Sequence, residues 1–467
     1  MASSPRRLST VVVGAGYVGL ATALGLAIRG HGVELIENGA ERLAALRAGR
    51  VPVSEPGMQE VYSDASRDGR IVVRGESGVT SADVVFVCVG TPTTDAGRSD
   101  WSQLRSALRA VAHVVRTGTP LVLRSTLPVG TTERLRTLIG TGSARVFTNP
   151  EFLRQGHALE DFLHPTRVVI GHFPDVDRKA LSTVRSILEV AGTPLLVVSV
   201  VEADLIKNGA NAFLALKLSF ANEMAVLCEE LGGDAGRVLE GIGMDPRIGL
   251  AHLNPSFGFG GSCLPKELRT LAASGRSANL PMHMVSAAAN VNASTQSRFA
   301  GRIERSLGGV RGRRIALLGL AFKAGTDDVR ESPAVALAER LLTGGADLRA
   351  YDPVANENAS RALPDLITVK SAAEALGGAE LAVIATEWPE FRSLPWAELR
   401  NVMAAPRILD GRRLLDPESI ADAGFEYETI GRGASSVRDL TVERGRRDAL
   451  SSLSAVSAAP ADPPGDP

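Results

Sequence analysis

Cysteine is scarce. Cys88, Cys228 and Cys263 are too few for a disulfide framework in 467 residues, and no pair has metal-ligand spacing. A reducing, cytoplasmic setting is expected, with no metal. Charge of one sign is lacking too. With 51 Lys and Arg against 52 Asp and Glu, nothing recommends nucleic acid or an anionic membrane as a partner. Long uninterrupted apolar runs are also missing. Ser9 to Ile28 follows Arg6 and Arg7 and superficially looks like a signal peptide. Gly14, Gly16, Gly19 and Gly25 break the run, however, and no small-residue cleavage site follows. Secretion and a membrane span are not expected. The remainder, 44% hydrophobic and 22% charged, is ordinary for a globular chain of two or three domains.

Leu8–Val13 is a β-branched apolar run suited to a strand buried on both faces. It leads into Gly14-Ala15-Gly16-Tyr17-Val18-Gly19, an Ala/Leu-rich helix to Arg29, and a second strand, Val33–Ile36, ending in Glu37. Alone, a G-x-G-x-x-G is weak. Between strand and helix, with an acid ending the next strand, it predicts dinucleotide binding. The glycines let a pyrophosphate reach the helix amides, and Glu37 accepts from ribose hydroxyls. A carboxylate there repels a 2′-phosphate, so NAD is expected rather than NADP. The bland alternative is a glycine-rich turn without a ligand.

Strands and helices go on alternating. Ile71–Val73 is followed by Asp83–Val89, which runs into Gly90-Thr91-Pro92 and holds Cys88 as core. After a helix from about Trp101 come Leu121–Arg124, ending in Ser125-Thr126, and Arg145–Thr148, ending in Asn149-Pro150-Glu151. This alternation predicts a parallel sheet, with ligands gathered beyond the carboxyl ends of its strands.

From Glu202 to Leu231 there is no proline and one internal glycine, so a single helix of about 45 Å is expected. Lys207 and Asn211 are four apart and share a face. Lysine is more often a solvated surface charge, but the small residues around this one would let something approach. Apolar residues on more than one side of the helix predict a second subunit packed against it. Cys228 reads as core.

The stretch the chain turns on is Asn254-Pro255-Ser256-Phe257-Gly258-Phe259-Gly260-Gly261-Ser262-Cys263-Leu264-Pro265-Lys266-Glu267. Its glycines allow unusual backbone angles or close approach to a ligand. A helix from Pro265 through Leu271 follows the cysteine. Helix amides and Lys266 would both stabilise a thiolate there. Cys263 is therefore either a reactive thiol or a small buried hydrophobe. After another helix, Met282–Ser297, a second α/β unit repeats the first. It runs from Ile315–Leu318 into Gly319, then through a longer loop and a helix from Pro333 to Leu348–Tyr351 and Asp352. Leu381–Ala385 and Arg407–Leu409 add strands. From Ser451 the Ala/Pro/Ser-rich tail has no periodicity and is expected to be disordered.

In combination these motifs resemble the UDP-glucose/GDP-mannose dehydrogenase family. The resemblance runs from Leu8 to Gly431 and rests on Gly14–Gly19, Val89–Pro92, Ser125–Gly130, Asn149–Leu153, Lys207 with Asn211, Gly258–Lys266, and Gly319–Lys323 with Thr326–Asp328 and Arg330. It implies an α/β fold: two Rossmann-like parallel-sheet domains joined by a long central helix and helical dimerisation segment. Residues 1–200 would bind NAD, 201–300 dimerise, 301–450 bind the nucleotide sugar, and 451–467 form the tail. It implies a four-electron oxidation of CH₂OH to carboxylate, with Cys263 forming a thiohemiacetal and then a thioester. Lys207 and Asn211 would stabilise the oxyanion, Glu151 act as base, Thr126 order water, and Glu267 support the site. Gly90, Thr91, Pro92, Ser125 and Lys266 fall to the cofactor, and Arg330 to phosphates of the cofactor or of the sugar nucleotide. Phe152, Leu153, Asn254, Phe257, Gly260, Phe322 and Lys323 fall to the substrate, joined by Arg247 reaching across a homodimer interface.

Three departures stand out. Glu267 occupies a position generally held by Asp, and Gln155 one commonly held by a second glutamate. Asp410-Gly411-Arg412-Arg413 replaces a more usual Arg-Asn pair. The site motifs favour the UDP-glucose branch, with GDP-mannose or dTDP-glucose as alternatives. A non-catalytic nucleotide-sugar binder and a two-electron hydroxyacid dehydrogenase are the readings from other classes. Neither explains an intact Cys263 set.

Overall fold

The computed structural model describes residues 7–75, 81–92, 100–116, 118–127, 129 and 145–433. The tail expected from Ser451 lies outside them. The first sheet comprises β1 (Ser9–Val13), β2 (Gly32–Ile36), β3 (Ile71–Arg74), β4 (Val84–Val87), β5 (Leu121–Leu123), β6 (Val146–Thr148), β7 (Val168–His172) and β8 (Leu195–Ser199). Its order is β3-β2-β1-β4-β5-β6-β7-β8. Val11, Val12, Val84 to Val87 and Leu121 to Leu123 are buried, as expected for strands covered on both faces.

Two features depart from the sequence reading. The sheet is not wholly parallel, because β6 and β7 pair antiparallel, and β7 and β8 had no counterpart in the expected element order. Cys88 lies one residue beyond its strand, although it remains buried.

The second sheet comprises β9 (Arg314–Leu318), β10 (Asp347–Tyr351), β11 (Ile367–Thr368), β12 (Leu381–Ile384), β13 (Arg407–Asp410) and β14 (Glu426–Thr429). Its order, β11-β10-β9-β12-β13-β14, repeats that of the first six strands, and all its pairs are parallel. The internal repeat extends to single hydrogen bonds. Gly14 N–H donates to Ile36 O at 2.8 Å and Gly319 N–H to Tyr351 O at 2.7 Å. Both glycines have left-handed φ, 96° and 100°. The acids differ in use. Asp352 accepts from the amides of Leu320 and Ala321 and from Trp388 Nε1, and does not face the cavity between the sheets; Glu37 does.

Helix α1 (Tyr17–Ile28) follows β1. Between the sheets run α2 (Val200–Leu231), α3 (Leu264–Ser277) and α4 (His283–Leu307). A capping box starts α2: Ser199 Oγ accepts from Glu202 N–H, and the Glu202 carboxylate accepts from Ser199 N–H at 2.7 Å. Gly232, with φ 79°, ends it. One face of α2 is buried through Lys207, Asn211, Ala215 and Asn222, while Phe213 is 62% exposed with Phe220, Leu227 and Leu231 also open. No helix among the described residues is long and apolar enough to cross a membrane.

Candidate active site

A cavity of about 1780 Å³ opens between the two sheets. It lies beyond the carboxyl ends of β1 and β4, where the strand order reverses and α/β sheets bind ligands.

Its first wall is the glycine-rich turn. Gly14, Gly16, Tyr17, Val18 and Glu37 line it. A Cβ on Gly16 would meet nothing within 4 Å, leaving room for a ligand against the start of α1. Gly19 faces inward instead: a Cβ there would lie 1.7 Å from Gly14 O, so its hydrogen holds turn and helix together. Glu37 is buried and accepts from Ala15 N–H at 2.8 Å, Gly39 N–H at 2.6 Å and Arg42 Nη2 at 2.9 Å. Burial pushes its pKa up, but these donors outweigh it and hold the carboxyl below its ordinary value. Open space at Gly16 beside an ionised acid fits a dinucleotide's pyrophosphate and ribose. We predict that Gly19→Ala costs more than about 3 kcal/mol, because backbone must give way. Thermal melts and NAD titration should show a lower midpoint and lost binding.

Beyond the turn, Gly90, Thr91, Pro92, Ser125 and Thr126 continue the wall. Thr91 Oγ1 donates to Thr126 O at 2.6 Å, and Ser125 Oγ to Val89 O at 2.6 Å, tying the ends of β4 and β5 together. Lys266 Nζ donates to Thr91 Oγ1 at 3.1 Å.

Cys263 caps the N-terminus of α3 and opens onto the cavity. The residue is exposed on its cavity side, while protein crowds round the sulfur elsewhere. The loop before it is fixed by close approach. A Cβ on Gly260 would lie 2.0 Å from Glu331 O, and Gly261, with φ 86°, presses against the Phe322 ring. Beneath lies a charged cluster. Lys207 Nζ donates to Glu151 Oε1 at 3.2 Å, both side chains being under one-tenth exposed. Glu151 Oε2 accepts from Leu153 N–H at 2.8 Å. Burial pulls Lys207 down, yet Glu151, Cys263 and Glu267 outweigh it and raise its pKa.

One expectation needs correcting. Helix amides and Lys266 do not hold Cys263 as a thiolate. Burial first, then the charge of Glu151, push the thiol up, against the opposing pull of Lys207. The resting group is a thiol. Glu267 is also pushed up by burial, against Lys266 and Lys207, and its Oε2 has no hydrogen-bond partner. A carboxyl raised in the folded state contributes stability that is lost as pH rises through its folded pKa. Glu267→Gln removes that loss. Its melting temperature relative to the parent should therefore climb as pH rises above the ordinary glutamate value of about 4.3.

The remaining predicted residues divide. Leu153, Asn254, Phe322, Lys323 and Arg330 line the cavity. Asn211 lies one turn from Lys207 on the same buried face of α2. Phe152 stacks under Arg167 at 3.7 Å, with Lys207 5.4 Å from its ring. Phe152, Lys207 and Asn211 stay behind the cavity wall, and two further residues turn elsewhere. Phe257 is buried in the core, stacked on Phe299 at 4.6 Å. Arg247 pairs with Asp245 at 2.6 Å, its side chain 87% exposed and away from this cavity.

Sequence reasoning passed over Arg124 and His252, which both line the cavity. Arg124 is buried, bonds Asn149 Oδ1 and has an unpartnered Nε. A cation closing the apolar run Leu121–Leu123 was the available signal. His252 has φ 62°, a strained value for a histidine that no sequence pattern announces.

Comparison with known proteins bears on the whole chain. Three domains of the UDP-glucose/GDP-mannose dehydrogenase family match: the NAD binding domain at residues 8–189, the central domain at 201–294 and the UDP binding domain at 316–417. A UDP-glucose 6-dehydrogenase of Bacillus subtilis is 36% identical over 435 residues, covering 91% of this chain and 98% of its own. One from Pseudomonas aeruginosa is 38% identical over 441 residues, with 90% and 97% covered. Among solved structures, a UDP-glucose dehydrogenase from Pyrobaculum islandicum aligns with a TM-score of 0.80 at 37% identity, over 89% of this chain and 98% of that one. A UDP-D-ManNAc dehydrogenase from Pyrococcus horikoshii gives 0.79 at 27%, over 91% and 99%.

Proposed function

The chain belongs to the UDP-glucose/GDP-mannose dehydrogenase family, and from that membership we propose that it oxidises UDP-glucose at C6 to UDP-glucuronate through a covalent intermediate on Cys263. It is an NAD-binding nucleotide-sugar dehydrogenase. The observation that carries the finer reading is Cys263 opening onto the cavity above the buried Lys207–Glu151 pair. UDP-glucose is favoured because relatives of that activity match over nine-tenths of the chain.

NAD, when bound, supplies the hydride acceptor for both oxidations. Gly14, Gly16 and Glu37 would hold its pyrophosphate and ribose, with Thr91, Ser125 and Lys266 alongside. The chain's own groups do the rest. In the first oxidation C6 loses a hydride and its hydroxyl a proton, giving an aldehyde. The Cys263 sulfur then bonds to C6 while its proton passes to the oxygen, forming a thiohemiacetal. Loss of a second hydride from C6 and of the hydroxyl proton leaves a thioester. Water adds, the C–S bond breaks, the acid departs and the thiol recovers its proton. Lys207 and Asn211 stabilise the negative oxygen at these stages. Glu151 takes the water's proton and Thr126 orders the water. Glu267 tunes the charge around Lys207. Phe152 and Leu153 shape the sugar end, Asn254 and Gly260 the loop beneath it, and Phe322, Lys323 and Arg330 the nucleotide side.

The exposed apolar side of α2 supports a homodimer through that helix. Arg247, turned away from its own cavity, would then serve the partner's. Three free cysteines suit a cytoplasmic enzyme. Counting NADH per sugar with UDP-glucose, dTDP-glucose, GDP-mannose and UDP-N-acetylmannosamine tests the assignment. Two NADH with UDP-glucose are expected, and one or none would sink the thioester route.

A further inference from the structure

One residue of the second α/β unit grips the Cys263 segment from both sides. Glu331 lies at the end of the loop after β9 and lines the cavity. Ahead of the sulfur, its backbone oxygen fills the space that Gly260 leaves, where a Cβ would lie 2.0 Å away. Gly261 N–H donates to the neighbouring Arg330 O at 3.1 Å. Behind the sulfur, on α3, Arg269 donates from Nη1 to Glu331 Oε2 at 2.7 Å and from Nη2 to Glu331 Oε1 at 2.6 Å. Glycine loop and helix are thus tied to the same loop, with Cys263 between the two ties. Stability alone does not account for this pair. Its side chains are 34% and 38% exposed, and ion pairs open to water contribute little. What a two-pronged pair adds is fixed direction as well as fixed distance. Glu331 also has φ 50°, a left-handed value that glycine takes freely and glutamate seldom does. Backbone strain of this kind collects where a particular side chain is put to use.

We propose that Glu331 is a positioning residue for Cys263, holding the sulfur through Arg269 and the Gly260–Gly261 backbone where an aldehyde is captured before it leaves. This rests on the reading that Cys263 adds to that aldehyde. Bonding of sulfur to C6 needs near-contact geometry, and a misplacement of about 1 Å can cost about 100-fold. The first hydride transfer uses no sulfur. Loosening the hold therefore slows capture, spares the first oxidation and lets aldehyde escape.

Four full-length proteins test this: the parent, E331A, R269M and E331A/R269M. Each of the two side chains is open enough to be hydrated once its partner is gone, and melting curves verify the fold. With UDP-glucose and NAD, acid formation should fall at least about tenfold in either single variant, while the first burst of NADH changes by no more than about twofold. Semicarbazide should trap the missing product as aldehyde, and NADH per sugar should drop below two. The double variant should be no worse than either single one, because the same link is broken in all three. Without ligand, iodoacetamide should label Cys263 at least about threefold faster in the variants, because burial is what holds the thiol proton. Peptide mass spectrometry reads that rate. A slower enzyme that still makes two NADH per sugar with no trapped aldehyde would overturn the proposal, as would losses that add in the double variant. If the parent itself makes no acid, the covalent reading falls and labelling decides alone. An unchanged rate in E331A then refutes the role given to Glu331.

Discussion

The Cys263→Ser enzyme is expected to release no nucleotide-linked acid, its rate of acid formation falling by at least about three orders of magnitude. The physical reason lies in the second oxidation. A bare aldehyde is a poor hydride donor, whereas a tetrahedral carbon bearing oxygen and sulfur is a good one. Serine's hydroxyl gives up its proton far less readily than a thiol and leaves as a far poorer leaving group from an acyl carbon. The first hydride transfer needs no sulfur, so NADH per sugar should fall from two to at most one. Folding is not at stake, because serine is close to cysteine in size and the side chain opens onto the cavity. Stopped-flow absorbance of NADH and mass spectrometry of the intact chain would separate the phases. The parent quenched during turnover should carry an added acyl group that the variant lacks. Normal uronate output from the variant would end the covalent route.

Lys207→Met should damage both stability and rate. Removing one partner of a buried ion pair leaves an uncompensated charge, at a cost of about 3–5 kcal/mol. Here the abandoned groups are Glu151 and, close by, Glu267. In the parent, Lys207 has its pKa raised by folding. Its contribution is fully present below the unfolded lysine value of about 10.4 and lost only as pH rises through the folded one. In the variant Glu267 loses one of its two opposing cations and is driven higher still. The deficit should therefore shrink as the medium is acidified, which denaturant unfolding across pH would reveal. Activity should fall a further 10²–10³-fold (about the effect of deleting one oxyanion donor). A Lys207→Met protein as stable as the parent at neutral pH would show that the pair is not enclosed as described.

The first six strands of the first sheet could be read because each is an apolar run with a turn signal at its end. β7 and β8 could not. Val168–His172 carries Gly171, which looks like a strand breaker, but a Cβ there would lie 2.2 Å from Thr148 Oγ1 and 3.1 Å from Val200 Cα. Glycine is present because α2 starts against the strand, a tertiary reason that periodicity does not carry. The antiparallel turn of β7 has the same origin, since side-chain alternation does not encode strand direction. In the site, motif residues were legible because each stands next to a glycine or a strand end. Phe257 misled for that very reason: it sits in the glycine-rich loop, yet its ring turns toward Phe299. Charge balance was the hardest to foresee. Lys266 is three residues from Cys263 in sequence, but burial and Glu151, far away along the chain, outweigh the cations around the sulfur.

Keeping that sulfur protonated at rest has a consequence for the enzyme's chemical lifetime. Peroxide and alkylating agents consume thiolates far faster than thiols. An active-site cysteine in a cleft wide enough for a nucleotide sugar would ordinarily be an easy target for both. With burial and Glu151 holding the proton in place, such reagents find little of the reactive form, while on the proposed route an aldehyde lodged beside the sulfur would need only one proton to move.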